Sequence, residues 1–177
     1  MVQPVKTNAS EGFEQFLVSH GFVTPEALEE LHARVQQTGL SLPQELINQK
    51  IMDEENLAQA RAAFFNIPYT DLRKVQVVSE ILNLIPQESM NFYNFVPFEL
   101  QEHTLKVAIV DPSNLSALEA LEFLGQKQNL QVQLYLASES SVDIVMGRKK
   151  NLKRVAEQAL KDIQVKEDEE KKATSRN

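Results

Sequence analysis

The 177-residue sequence contains no cysteine and no tryptophan. Without cysteine there are no disulfides, no thiolate nucleophile and no cysteine-ligated zinc. Glycine is scarce too. The five glycines, Gly12, Gly21, Gly39, Gly125 and Gly147, never form a G-x-G or a glycine-rich loop leading into Lys-Ser/Thr. Phosphate loops need consecutive backbone amides free to wrap oxygens, so a nucleotide triphosphatase site of the usual kind is excluded. No apolar run approaches the ~20 residues that span a bilayer, and the first ten residues lack the apolar core of a secretory signal. Nor is there an excess of positive charge. The formal net charge is −7, which argues against a general nucleic-acid coat.

What the sequence does have is a duplication. Shifted by 29 positions, its first third falls on itself: Phe13 on Leu42, Leu17 on Leu46, Val18 on Ile47, Phe22 on Ile51, Val23 on Met52, Leu28 on Leu57 and Val35 on Phe64. Thr24-Pro25-Glu26 answers Asp53-Glu54-Glu55 as a helix start. A fixed period of this size means one supersecondary unit used twice, and the two copies are expected to stack. The spacing predicts helices over 11–20, from Pro25 to Gly39, over 42–49 and from Asp53 onward. Gly21 and Gly39 serve as stops, and Ser41 with Gln44 as a capping box.

After Asn66 the pattern changes. Short helices are expected from Ser79 to Leu84 and from Pro86 to Met90, then strands over 95–100 and 104–110 joined by Gln101-Glu102-His103. A helix lined by Leu115, Leu118, Leu121, Phe123 and Leu124 and ended by Gly125 follows, then a strand over 132–136. Ser138 caps a last core helix carrying Val142, Val145 and Met146. The fold class is therefore α+β: a four-helix subdomain of two repeated helix pairs, then a small mixed three-stranded sheet with packed helices. The boundaries read as a flexible N-terminus over 1–10, a helical repeat subdomain over 11–66, an α/β subdomain over 67–150, and a helix with charged linker over 151–177. Leu152, Val155, Leu160 and Ile163 give the last segment helical spacing before the charged run from Lys166 to Lys172.

Chemistry-bearing clusters are sparse. His20, His32 and His103 have no partner at metal-ligand spacing, and His20 suits a helix C-terminus. The pairs Glu29-Glu30, Glu54-Glu55 and Glu119/Glu122 read as exposed helix faces or dipole partners near helix N-termini, with no apolar setting for acid–base work. Asp111-Pro112 at a strand end could face a ligand but reads better as a turn and helix cap. Arg148, Lys149, Lys150, Lys153 and Arg154 form the basic cluster, open to an acidic partner, anionic head groups or plain solvation. No cofactor is expected.

Several phrases occur together and in order: Gly21-Phe22-Val23-Thr24-Pro25-Glu26-Ala27-Leu28, Phe65-Asn66-Ile67-Pro68-Tyr69-Thr70-Asp71-Leu72, Leu84-Ile85-Pro86, Val107-Ala108-Ile109-Val110-Asp111-Pro112-Ser113-Asn114 and Phe123-Leu124. Across about 140 residues this resembles the N-terminal domain of type IV pilus assembly and type II secretion ATPases. The resemblance implies a domain that is not itself an enzyme and normally precedes a hexameric ATPase. It also implies a cytoplasmic location, peripheral to the inner membrane through partners, without direct membrane insertion or nucleic-acid binding. The implied partner is the cytoplasmic part of an inner-membrane pilus or secretion assembly protein.

Some members of that family bind cyclic di-GMP through tandem repeats of roughly Arg-Leu-Gly, a later Gly with two aliphatics, spaced Leu and a Gln. Carried onto copy two, the Arg place is Ser41, the Gly places are Pro43 and Lys50, and the Gln place is Phe64, while Leu42, Ile51, Met52 and Leu57 persist. Copy one has Gly12, Glu14, Gly21 and Val35 at these places. The resemblance implies the fold with a degenerate ligand surface, its remnants being Phe13, Gly21, Leu42 and Gln44.

Overall fold

The computed structural model describes residues 12–147. The expected loose N-terminus, the basic cluster and the expected helix and charged segment over 151–177 lie outside these residues.

The duplicated third folds as α1 (Phe13–Ser19), α2 (Pro25–Thr38), α3 (Leu42–Asn48) and α4 (Glu54–Phe65). The repeat is visible in the backbone. Phe22 and Val23 amides both donate to the Leu17 carbonyl, at 2.8 and 3.3 Å; 29 positions on, Ile51 and Met52 both donate to Leu46, at 3.0 and 3.2 Å. Thr24 caps α2 by accepting from the Ala27 amide, and Asp53 caps α4 by accepting from Asn56. Gly39 ends α2 in the left-handed conformation, and the Ser41–Gln44 capping box opens α3. Leu17, Val23 and Leu31 from copy one interlock with Leu46, Met52, Leu57 and Ala60 from copy two in a shared core, so each hairpin covers the apolar face of the other.

The remainder carries a 3-10 turn (Leu72–Lys74), α5 (Ser79–Leu82), α6 (Gln87–Tyr93), β1 (Phe95–Gln101), β2 (Thr104–Ile109), α7 (Leu115–Gln128) and β3 (Gln131–Leu136). Residues 139–147 form α8. The sheet order is β1-β2-β3, antiparallel then parallel. Only the parallel pair needs a long crossover, and α7 supplies it. The β1–β2 turn has Glu102 at φ 54°. The sheet, α7 and α8 enclose a core that includes Phe95, Val107, Ile109, Leu121, Leu134, Val142 and Val145.

Four expectations are corrected. Gly125 does not end α7, which runs on to Gln128 and stops at Asn129, φ 55°. Gly125 is instead a close approach: a Cβ there would lie 2.9 Å from the Leu130 carbonyl oxygen and 3.0 Å from Val132 Cγ2. Leu115 and Phe123 do not line the α7 core; they stand out into solvent, since the buried stripe is Ala117, Leu121 and Gly125, four apart. The helix opened by Pro86 extends past Met90 to Tyr93, ended by left-handed Asn94. The cap of α7 is Asn114 rather than the Asp-Pro-Ser turn.

Candidate functional site

The two α-hairpin turns meet at a groove of about 720 Å³ lined by Gly21 and Phe22 from copy one and by Ile47, Lys50, Ile51, Met52, Asp53, Glu54 and Asn56 from copy two. Its position follows from the repeat. Each hairpin turn must reverse the chain after one short helix, and the residue that does so takes the left-handed backbone. This is Gly21 at φ 72° in copy one and Lys50 at φ 56° in copy two. A left-handed lysine costs roughly 1–2 kcal/mol relative to its usual conformation. Phe22, Ile47 and Ile51 leave more than a third of their surface to solvent along this groove.

Its electrostatics suit an anionic dinucleotide poorly. Lys50 shares the lining with Asp53 and Glu54, and no arginine lines the walls. Asp53 is occupied by the Asn56 amide and side chain, at 2.7 and 2.8 Å, and Glu54 Oε1 accepts from the Ser140 amide at 2.8 Å. Two phosphates would meet two carboxylates and one ammonium.

Of the expected remnant residues, Gly21 lines the groove. Phe13 packs edge-on against Phe64 at 5.4 Å and joins the helical core, as Leu42 does. Gln44 is spent on its capping box, its Oε1 accepting from the Ser41 amide at 2.9 Å. The four are not gathered around that groove. Phe64, at the Gln place of the nucleotide-reading pattern, is a core ring between Phe13 and Phe16. Ser41, at the Arg place, is a helix cap. His20 binds the Phe16 carbonyl at 3.0 Å, the role its place near a helix end suggests. Among the described residues no group of three or more His, Cys, Asp or Glu could hold a metal, and no helix is long and apolar enough to cross a membrane.

A second cluster was not legible beforehand. The pair Glu54-Glu55, expected on an exposed face or near a helix N-terminus, does open the first turn of α4, but it is partly buried and clamps that helix to the sheet. Glu55 accepts from the Tyr69 hydroxyl and from Ser138 Oγ, the latter at 2.6 Å, and pairs with Arg73 at 3.2 Å. Burial and the Glu55 carboxylate push the Tyr69 hydroxyl well above its ordinary pKa. The Arg73 guanidinium, bonded to both oxygens of Asp71, holds that carboxyl down at about 2. Farther along α4, Arg61 donates to the Val110 carbonyl and to Asp111, both at 3.1 Å. Glu54 and Ile47 also line a small cavity of about 90 Å³ at this seam. The partners lie up to 86 positions apart, so only the acidic start of α4 showed in the sequence.

Comparison with known proteins agrees with this architecture. Residues 65–148 match the MshEN domain family. The type IV pilus assembly ATPase PilB of Thermus thermophilus is 28% identical over 127 residues, 71% of this chain and 14% of that protein. PilB of Myxococcus xanthus is 25% identical over 128 residues, 72% of this chain and 22% of that protein. The chain thus spans less than a quarter of either relative. In fold, it is similar to MshE solved with cdg (TM-score 0.67, 24% identity, 78% of this chain and 99% of that one). It is also similar to the N-terminal domain of XpsE (TM-score 0.59, 16% identity, 82% and 98%). Residues 65–148 thus match the MshEN domain, and the chain is similar in fold and sequence pattern to the N-terminal domains of type IV pilus assembly and type II secretion ATPases.

Proposed function

We propose that this chain is a non-catalytic docking domain that tethers a pilus assembly or secretion ATPase to a membrane-associated cytoplasmic partner. The partner class is the cytoplasmic part of an inner-membrane assembly protein, contacted through exposed faces of α1–α4 and the sheet edge. The observation that carries this reading is the fate of the nucleotide-reading positions. Phe64 is sealed between Phe13 and Phe16, and Ser41 caps a helix, so these two polar readers have become structure. The groove, which neither of these two residues lines, sets Phe22, Ile47 and Ile51 beside Lys50, Asp53 and Glu54, a surface that suits a protein contact better than a phosphate clamp.

The rival reading is cyclic di-GMP sensing by degenerate repeats. In its favour stand the likeness in fold to MshE, solved with cdg, and the retained Gly21. Against it stand the two carboxylates on the groove.

The test is co-purification of the 177-residue chain with the isolated cytoplasmic domain of an inner-membrane pilus or secretion assembly protein from the same genome. A stable complex is expected. Failure with every such domain, together with tight cyclic di-GMP binding, overturns the proposal.

A further inference from the structure

Each hairpin sends a side chain into the core just after its turn. Val23 does so in copy one and Met52 in copy two, at 5% and 6% exposure. The residue before each, Phe22 or Ile51, gives the turn only its amide, which donates to the Leu17 or Leu46 carbonyl. The turn makes no demand on their side chains. Both copies nevertheless carry a large apolar residue there and leave it open, at 40% and 38%. Ile47 adds a third open wall, and the Phe22 ring lies near-parallel to buried Phe16, centroids 6.3 Å apart. Apolar surface that the fold does not need, gathered in one groove, marks a contact.

The charge on this groove says what the contact is with. Elsewhere carboxylates have cations: Arg73 serves Asp71 and Glu55, Arg61 serves Asp111 and Lys106 serves Glu99. Asp53 and Glu54 have none within salt-bridge distance among the described residues. Their hydrogen bonds come from neutral donors, Asn56 and the Ser140 amide. The surrounding field has the same sign, since Asp and Glu outnumber Lys and Arg by more than two to one over residues 12–147. We propose that the twin-turn groove receives an arginine-bearing apolar segment of the docking partner, with aliphatic side chains against Ile47 and Ile51 and a guanidinium shared by the Phe22 ring and the Asp53 and Glu54 carboxylates.

Arginine fits better than lysine because its plane both stacks on a ring and forks onto carboxylates, and it is shed from water more readily. A cation without apolar neighbours would leave the three open walls wet, and an apolar segment without a cation would leave the two carboxylates unbalanced. Such binding rests on the reading of the chain as a docking domain and adds the chemistry that the groove selects.

The test measures fluorescence anisotropy of labelled peptides on the full 177-residue chain at near-physiological salt. Three peptides of equal length repeat Leu-Leu-Arg, Leu-Leu-Lys or Leu-Leu-Glu. The arginine peptide is expected to bind saturably, the lysine peptide several-fold more weakly and the glutamate peptide not at all. Asp53→Asn/Glu54→Gln removes the charge and keeps the acceptors for Asn56 and Ser140, and is expected to weaken binding about tenfold. Ile51→Ser is expected to weaken it by a similar factor. Lys50→Gln, which removes the like charge, is expected to tighten it, an effect that damage to the fold would not give. No saturable binding, equal binding of the glutamate peptide, or binding that none of these variants moves overturns the proposal. Circular dichroism checks each fold, and Phe22→Ser replaces Ile51→Ser if the latter unfolds. Co-purification with a membrane component that the groove variants leave intact also overturns it, while the docking role itself stands. Groove-dependent peptide binding without any such co-purification supports the groove chemistry and removes the membrane partner instead.

Discussion

Gly21 and Lys50 stand 29 positions apart and occupy the same place in twin hairpins, both with a left-handed backbone, at φ 72° and 56°. One copy has the residue this conformation favours and the other does not. Yet both turns close with the same pair of amides on one carbonyl. Tertiary packing of the two hairpins on one another holds Lys50 where its own preference would not put it.

The difference sets a prediction for stability. Lys50→Gly relieves the left-handed backbone and, after the entropy that glycine adds to the unfolded chain, is expected to stabilise by about 0.5–1 kcal/mol. Gly21→Ala is expected to destabilise by about 1 kcal/mol. Urea denaturation followed by circular dichroism measures both. A Lys50→Gly variant less stable than wild type contradicts this account of the turn.

Gly125 gives a second prediction, of opposite sign to helix propensity. An exposed helical glycine gains about 1 kcal/mol on becoming alanine. Here the new methyl would meet the Leu130 carbonyl at 2.9 Å, and backbone cannot yield cheaply. Gly125→Ala is expected to cost about 1–3 kcal/mol net, read from the thermal midpoint.

The α4–sheet clamp gives a third. Glu55→Ala leaves Tyr69, Ser138 and Arg73 without their shared acceptor, and the expected loss is about 2–3 kcal/mol. A double-mutant cycle of Glu55→Ala with Ser138→Ala isolates one arm. The expected coupling is about 1 kcal/mol, and additivity would show that the hydroxyl contributes nothing to the clamp.

A fourth concerns acid. Arg73 holds the folded Asp71 carboxyl at about 2, below its ordinary value of 3.8. Folding therefore favours the ionised form. Its contribution is complete above the unfolded pKa and is lost as pH falls from about 4 towards 2. Asp71→Asn is expected to lower stability near neutrality and to flatten that part of the stability–pH curve. An unchanged slope between pH 4 and 2 contradicts the Asp71–Arg73 pairing.

The repeated part of the fold was open to reading because its signals are local. The 29-residue shift, the Thr24 and Asp53 caps, the Ser41–Gln44 box and the stops at Gly21 and Gly39 all act within a few residues, and the helices begin and end by them. The strands and the mixed sheet were also legible, from apolar runs and their separations. Gly125 misled because a close approach to the next strand leaves the same mark in a sequence as a helix stop. Phe123 misled because a large aromatic at helical spacing reads as core whichever way it points, and here it points outward. The clamp stayed hidden for a different reason. Glu55, Tyr69 and Ser138 are each ordinary where they stand, and only the folded chain brings the hydroxyls to the carboxylate.

The proposed docking role requires that the twin-turn groove does not grip a dinucleotide. Isothermal titration of the 177-residue chain with cyclic di-GMP measures this. No saturable heat in the low-micromolar range is expected. Saturable low-micromolar binding that weakens with Lys50→Glu or Ile51→Asp would contradict it.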